Sequence, residues 1–282
     1  MTDGRESLFC STELAARPEG AETELIIAGS AAAAARRPDG GGFTIPIAGG
    51  VAAYAEEGAP LDKVAGLGFA GVPDPAELDD IEARFAERKT PVQIELAHLA
   101  DPALAALLTA RGYRLLNFEN VLGRALLDDP EPVHPEGVEI RPSEEGEFDL
   151  WIDIAAEGFA HPDTQGVASH EEFPRDILAN AMRDITAATG IQRFLAYRNA
   201  EVAGCASMRI SRGVAQLTGA TTRPAHRRHG IQSALLATRL VLAKAAGCDI
   251  AVITTQPGSK SQQNAQRSGF DLLYTRAILV KD

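Results

Sequence analysis

One basic turn has residue types and spacing that could bind a small anion. Five of the seven residues from Arg223 to His229 are Arg or His, in a chain with a formal net charge of -12. Gly230 follows, and apolar residues including Ile231 and Leu235 then recur at helical spacing. The first backbone N–H groups of a helix have no intrahelical partner, and the helix dipole attracts negative charge there. The turn therefore predicts an anion site at a helix start, where Gly230 lets the backbone approach a ligand.

The elements on either side would hold this turn in place. Val214 to Thr222 is rich in β-formers and predicts a strand that leads into the turn. The helix after the turn is predicted to stop near Gly247. A basic island on an acidic chain favours a small, highly charged ligand over a nucleic acid. The alternative is a solvated, Arg-rich loop that merely begins a helix.

This stretch resembles the acyl-CoA-binding motif of the GNAT superfamily of N-acetyltransferases. The family pattern is Arg or Gln, two residues, Gly, one residue and then Gly or Ala, usually after a Val-x-Pro strand end. Residues 227–232 fit, except that Gln232 replaces the final small residue, and residues 222–224 fit with Thr222 in place of Val. The resemblance implies that backbone amides of the turn hold the pyrophosphate of acetyl-CoA. It also implies that the strand end pairs with the pantetheine arm.

The same resemblance assigns the cofactor-binding residues, of which the last matches a common family Asn that contacts the cofactor arm. They are Ala220, Thr221, Thr222, Arg227, Arg228, His229, Gly230, Ile231, Gln232, Ser233 and Asn264.

The groups that would move protons are less clearly marked. Many family members place a Glu on the strand before the turn, but residues 214–222 contain no carboxylate. The loop that usually shapes the acceptor pocket in the family offers candidates for the base, since His and carboxylates can accept a proton. These are Glu157, His161, His170, Glu171 and Glu172. The usual family Tyr is replaced by Ala265, so either the thiolate leaves without a dedicated acid or Ser259 or Ser261 relays a proton.

Composition limits the class of protein. The chain has 282 residues, 45% hydrophobic and 23% charged, which is typical of a globular protein of one or two domains. Its three cysteines form no disulfide framework and no metal-ligand spacing, which favours the cytoplasm and no metal. The longest apolar run, Leu25 to Ala35, is about half of the roughly 20 residues that a membrane span needs. No cleavable leader is recognised at the start, so we expect no membrane partner.

The order of predicted elements in residues 137–282 is β, α, α, β, β, β, α, β, α, β, which the resemblance identifies as the GNAT order. An echo supports a first copy, because Gly112-Tyr113 and Gly269-Phe270 stand 157 residues apart and each precedes a strand. We therefore predict an α/β (α+β) protein with two tandem GNAT-like domains, each a mixed, mostly antiparallel sheet flanked by helices. The predicted division is a degenerate domain at 1–127, a linker at 128–136 and a catalytic domain at 137–282.

Several local predictions concern element ends. Residues 1–20 are predicted as a short helix or loose arm. Ala31 to Ala35 extends an Ala-rich, helix-prone run that is predicted to break at Pro38 and the glycines of residues 40–42. Ser143 is a predicted helix cap, and Ser169 with Glu172 matches a capping box.

The glycines of residues 66–71 match G-x-G-x-x-G, the dinucleotide fingerprint. That fingerprint requires a helix to begin within the glycines, whereas here Pro73 and Pro75 follow. Asp74 to Glu77 instead resembles an independent helix start with an Asp cap. A dinucleotide-dependent oxidoreductase is therefore the weaker alternative.

The function expected from these residues is an acetyl-CoA-dependent N-acetyltransferase. It would transfer acetyl to a primary amine of a small molecule or peptide by direct attack in a ternary complex, as a monomer or homodimer. A non-catalytic acyl-CoA-binding sensor and a pure interaction module are the alternatives. The first fits the missing Glu and Tyr, and the second predicts that no cofactor binds.

Overall fold

The computed structural model describes residues 7–161, 165–167 and 173–282, and for Phe159 the backbone alone. The helices of this part are α1 (Thr12–Arg36), α2 (Pro75–Glu87), α3 (Ala103–Ala110), α4 (Phe148–Ala160), α5 (Arg175–Thr189), α6 (Ile231–Ala245) and α7 (Lys260–Arg267). The strands are β1 (Phe43–Ile47), β2 (Gly50–Tyr54), β3 (Lys63–Ala65), β4 (Val92–Ala97), β5 (Arg114–Ala125), β6 (Val138–Pro142), β7 (Gln192–Arg198), β8 (Glu201–Ser211), β9 (Val214–Thr222), β10 (Ile250–Thr255) and β11 (Asp271–Lys281).

All these strands belong to one sheet, in the order β1-β2-β3-β4-β11-β5-β10-β9-β8-β7-β6. Only β3–β4 and β9–β10 pair in parallel within the described part, so the predicted mixed, mostly antiparallel architecture is confirmed. The last strand of each half is exchanged. β11 lies between β4 and β5, and β5 lies between β11 and β10. The division at residues 128–136 stays a prediction, and the described segment there is irregular.

Helix α1 corrects the prediction for the first forty residues. A single helix of 25 residues takes the place of the short helix or loose arm predicted within residues 1–20, and it continues through Pro18. The same helix includes the predicted helix-prone run at Ala31 to Ala35. Its inward face is partly charged, because Glu19 is buried and accepts hydrogen bonds from Tyr274 Oη and Arg276 Nε, each at 2.7 Å. These partners lie more than 250 residues away, so hydrophobic periodicity could not reveal the helix.

Two predicted caps have different outcomes. Ser143 caps no helix; instead Glu144 and Glu147 form the capping box of a short 3-10 helix that precedes α4. That prediction is wrong by one residue, because the cap position is Glu144, whose N–H donates to Glu147 Oε2 at 2.9 Å. The predicted capping box at Ser169 lies outside the described residues, and α5 begins at Arg175.

Helix α5 belongs to the second half of the chain but packs on α1 of the first. Leu25 and Ile26 of α1 share a core with Ile185 of α5. Arg36 at the end of α1 lies 2.6 Å from Asp184 in an ion pair. The two halves therefore share helix packing as well as strands. No helix in the described part combines the length and apolar character that a membrane crossing requires.

Candidate functional site

The parallel strands β9 and β10 separate part of the way along their length. They pair from Ile250 with Val214 to Val252 with Gln216, and pairing then stops. β9 continues to Thr222 and β10 to Thr255. The far end of β9 consequently has no strand partner on its β10 side among the described residues. The missing strand leaves room on that side of β9 for an extended ligand to pair with the main chain.

A β-bulge lies in the separated part of β9. The pairing of β8 with β9 shifts between Cys205, opposite Thr221, and Ser207, opposite Thr218. Gly219 lies in the bulge with φ +59°, where a Cβ would be 3.3 Å from the Trp151 ring. Bulges redirect the main chain near active sites. Here the bulge changes the direction of the peptide groups that face the gap between β9 and β10.

The basic turn after β9 presents free backbone donors. Arg228 and Gly230 adopt left-handed conformations, with φ of +65° and +78°. Within the described part of the chain, the backbone N–H groups of residues 228–233 have no hydrogen-bond acceptor. Among the residues that the structure describes, no side chain caps the start of α6. A turn of this kind at an uncapped helix start is a concave anion-binding surface.

Gly230 is required for a reason that the sequence did not show. Its φ of +78° favours glycine, and an added Cβ would lie 2.7 Å from Cγ of Pro135. The direction in which a side chain at position 230 would point is therefore occupied by Pro135, in the segment between the two halves. The close approach of a ligand to the backbone at this position stays a prediction.

Two neighbouring side chains tie the turn to β9. Gln232, which departs from the family pattern, accepts a hydrogen bond from Thr222 Oγ1 at 3.4 Å. Arg227 donates to the Thr222 carbonyl at 3.4 Å and to the His161 carbonyl at 2.5 Å. Arg227 therefore positions the turn. Arg228 and His229 are exposed and form no side-chain hydrogen bond or ion pair within the described residues.

The structure brings two of the predicted proton-transfer candidates to the same end of β9. Glu157 is paired with Arg223, with 2.8 Å between Oε2 and Nε. His161 is exposed, and its Nδ1 lies 2.9 Å from the Glu157 carbonyl oxygen. Since a carbonyl only accepts, Nδ1 carries the proton, and in the neutral ring Nε2 is left as an acceptor. His170, Glu171 and Glu172 lie outside the described residues.

Two glycines, one at the end of α4 and one in the loop between α4 and α5, make contacts that were not anticipated from the sequence. A Cβ on Gly158 would overlap the Thr221 side chain, so the last turn of α4 lies directly on β9. A Cβ on Gly166 would be 2.5 Å from Ser259 N, and Val167 N donates to the Pro257 carbonyl at 3.1 Å. The end of α4 at Gly158 therefore contacts β9, whereas the loop at Gly166 and Val167 contacts the turn after β10.

The candidates on α7 have separate surroundings. Ser259 is the N-cap of α7, and its hydroxyl accepts from Gln262 N at 3.1 Å. Ser261 is exposed. Asn264 is half-buried, and its side chain has no hydrogen-bond partner among the described residues. Ala265 is buried in the core, so no side-chain acid is supplied from that position.

Arg239 of α6 is a further residue that the sequence did not suggest. It is buried and donates to the carbonyls of Ser207 at 2.9 Å and Thr218 at 3.3 Å, on the two strands beside the bulge. Burial lowers the pKa of Arg239 to about 10. Because it bridges main-chain carbonyls of β8 and β9, Arg239 holds the bulge in place. No local pattern on a helix predicts such a contact.

The equivalent place in the first half is closed. The start of α2 is capped by Asp74, which accepts from Ala76 N at 2.8 Å, while Glu77 accepts from Asp74 N at 2.8 Å. After the three-residue β3, a Cβ on Gly68 would overlap Leu104. Helix α2 begins after the glycines, as expected, so the dinucleotide fingerprint does not form its helix start. In the first half, side chains of the protein itself therefore occupy the helix start and the space beside the strand. The equivalent positions in the second half are open.

Comparison with known proteins agrees with this geometry. Residues 154–270 match the family model described as the acetyltransferase (GNAT) family. That segment contains the separated strands, the basic turn and α7. Over this segment the second half of the chain is similar to the GNAT family, which confirms the resemblance. No curated protein matches the sequence significantly.

Several solved structures share the fold. A GCN5-related N-acetyltransferase from Kribbella flavida is 22% identical, with 90% of this chain and 95% of that chain covered and a TM-score of 0.63. A GCN5-related N-acetyltransferase from Sphaerobacter thermophilus is 15% identical, with 78% and 71% covered and a TM-score of 0.58. A tandem GNAT protein from the clavulanic acid biosynthesis pathway is 12% identical, with 82% and 77% covered and a TM-score of 0.59. These likenesses show the fold, including a tandem arrangement.

Proposed function

We propose that this protein is an acetyl-CoA-dependent N-acetyltransferase that acts on a primary amine of a small molecule or peptide. The observation that carries the proposal is the uncapped start of α6, with free N–H groups at residues 228–233, beside the gap between β9 and β10. A diphosphate fits the first feature, because it needs several donors converging on one anion. An extended pantetheine arm fits the second, because it can take the place of a missing strand.

The chain's own groups would bind and orient the reactants. Acetyl-CoA supplies an acetyl group activated as a thioester. Backbone N–H groups near the Gly219 bulge are suited to polarise the thioester carbonyl, since fixed donors stabilise developing negative charge. In direct attack, the amine nitrogen forms a bond to the acyl carbon while the carbon–sulfur bond breaks, and a base takes the amine proton. Transfer in a ternary complex requires both reactants to be bound together.

His161 is the base that the geometry favours among the described candidates. Its Nδ1 is engaged with the Glu157 carbonyl, and its Nε2 can therefore accept a proton directly or through water. The Glu157 carboxylate is already paired with Arg223. We infer that this pair positions the end of α4, and that the leaving thiolate takes its proton from solvent or from Ser259 or Ser261.

The proposal places the protein in the cytoplasm, as a monomer or homodimer, without a metal, nucleic-acid or membrane partner. The three cysteines are unpaired, as a reducing compartment favours. Among the described residues, no group of three or more His, Cys, Asp or Glu side chains is arranged to hold a metal ion.

A second candidate function is a non-catalytic acyl-CoA sensor. It is favoured by Gln216, which is buried on β9 and donates to Glu22 at 3.2 Å, on a strand without any carboxylate. The buried Ala265 in place of the usual Tyr also favours it. A sensor would be thermally stabilised by acetyl-CoA but would release no thiol with any amine.

An acetyl-CoA turnover screen across amine classes tests the proposal, with release of the free thiol as the readout. We expect release with at least one primary amine, and none with the Gly230→Pro variant. Proline removes one backbone donor and cannot adopt the φ of +78° at this position. Stabilisation by acetyl-CoA without thiol release in the whole screen would favour the sensor. Unchanged acetyl-CoA affinity in Gly230→Pro would contradict the site itself.

A further inference from the structure

A polar cleft of about 380 Å³ opens beside the basic turn. It is lined by Pro135, Glu136, Arg198, Asn199 and His229. His229 belongs to both the turn and the cleft, so the two are continuous. The cleft is also formed by the segment between the two halves, which contributes Pro135 and Glu136.

The walls of the cleft are held by main-chain contacts. Asn199 N donates to the Gly137 carbonyl at 3.0 Å, and Val138 pairs with Arg198 across β6 and β7. Pro135 packs against Gly230 at the start of α6. These contacts fix Arg198, the linker segment and the turn relative to one another.

Arg198 presents its guanidinium group at the cleft. It is half-buried at the end of β7, and within the described residues its side chain makes no hydrogen bond or ion pair. An Arg in such a place matches a phosphate, because its planar fork can donate two parallel hydrogen bonds. The Glu136 carboxylate lines the same cleft and would repel that phosphate.

We propose that this cleft binds the 3′-phosphate of coenzyme A and that Arg198 is the residue that recognises it. This inference rests on the proposed function. In the coenzyme, the ribose that carries the 3′-phosphate is joined through its 5′-oxygen to the diphosphate. A diphosphate on residues 228–233 therefore brings the 3′-phosphate within one sugar ring of His229 and the adjoining cleft. Arg198 makes this chain selective for the phosphorylated coenzyme over its dephosphorylated form.

The test is calorimetric titration of the full-length protein with coenzyme A and with 3′-dephospho-coenzyme A. We expect the wild type to bind coenzyme A about tenfold more tightly, as one charge-assisted pair predicts. Arg198→Gln should lose that difference by weakening coenzyme A alone. Glu136→Gln should change in the opposite direction and bind coenzyme A more tightly. Arg84→Gln, on α2, removes the same charge far from the cleft and should match the wild type.

Unchanged binding of the dephosphorylated ligand by Arg198→Gln also shows that the variant is folded. Equal wild-type affinity for the two ligands, or an equal loss of both in Arg198→Gln, would overturn the cleft assignment and leave the proposed function standing. Failure of the wild type to bind either ligand would overturn both.

Discussion

Gly158 of α4 and Thr221 of β9 are in direct contact, and an added Cβ on Gly158 would lie 2.5 Å from the Thr221 Cβ. The contact sets how closely the end of α4, with Glu157 and His161, approaches the separated end of β9. Gly158→Ala should therefore push the two elements apart and destabilise the fold by about 1–3 kcal/mol, as overpacking does.

Thermal unfolding and turnover both measure this effect. The control is Gly20→Ala in α1, where a Cβ would meet nothing within 4 Å. A helical Gly→Ala change of that kind is expected to be neutral or slightly stabilising. Wild-type stability and turnover in Gly158→Ala would show that the contact does not set the position of α4.

Gln232→Pro should weaken coenzyme A binding by about tenfold, because it removes one of the free N–H groups at the second position of α6. Ala76→Pro places proline at the second position of α2, where the N–H group donates to Asp74 Oδ1 at 2.8 Å, and it should leave coenzyme A binding unchanged. Gln232→Ala keeps the N–H group and isolates the effect of the side chain. Equal dissociation constants for Gln232→Pro and Gln232→Ala would count against backbone recognition of the diphosphate.

His161→Asn should lower kcat/KM by about 10²–10⁴-fold, as loss of a general base does. Glu157→Gln should lower kcat/KM by less than about tenfold, because its carboxylate pairs with Arg223. Steady-state rates of the two variants and the wild type measure both effects. The reverse ranking of the two variants would transfer the base assignment to Glu157.

Asp62 should make stability depend on pH. Burial raises the pKa of Asp62 to about 7 from an ordinary value of 3.8, although backbone N–H groups of Ala55 and Ala59 favour its charged form. The folded protein therefore holds this proton more tightly than the unfolded chain. The stability that it contributes is full below about pH 4 and is lost as the pH rises through about 7, by at most about 1.4 kcal/mol per pH unit.

Unfolding curves of the wild type and Asp62→Asn between pH 4 and pH 8 check this sign. The variant cannot titrate, so the difference between the two proteins should change across the window. A constant difference would show that Asp62 has the same proton affinity in both states.

Asn120 of β5 should support catalysis although it belongs to the first half. It is buried and donates to Gln262 Oε1 of α7 at 3.3 Å, and the same oxygen accepts from Gly258 N at 2.7 Å. Asn120→Ala should disturb the turn before α7 and lower turnover by about tenfold, with a smaller change in coenzyme A affinity. Asn180→Ala removes an amide from α5 and should retain full turnover. An effect on stability alone would leave Asn120 with a purely structural role.

Local signals predicted much of the fold and part of the site. Asp74 and Glu77 marked the start of α2, and the basic turn marked the start of α6, because caps and turns depend on a few adjacent residues. Long-range pairing was not readable. β5 and β11 follow similar Gly-aromatic turns, and neither sequence indicates that β5 lies next to β10 or that β11 lies next to β4.

The same distinction applies to the site. The free N–H groups of residues 228–233 follow from a helix start and could be anticipated. The contact of Gly158 with Thr221 and the bridging of Ser207 and Thr218 by Arg239 could not, because each depends on how a helix is placed on the sheet. Likewise, nothing in the sequence around Gly230 revealed Pro135 as its neighbour.

The exchange of β5 and β11 has a consequence for how such a chain could arise. Two identical subunits that traded their last strands would build the same sheet as an interlocked dimer, and joining them end to end would make that assembly independent of concentration. One half could then lose its ligand cleft and still supply a strand that the sheet of the other half requires. By the same logic, a protease that cuts between residues 128 and 136 would nick this protein without releasing either part.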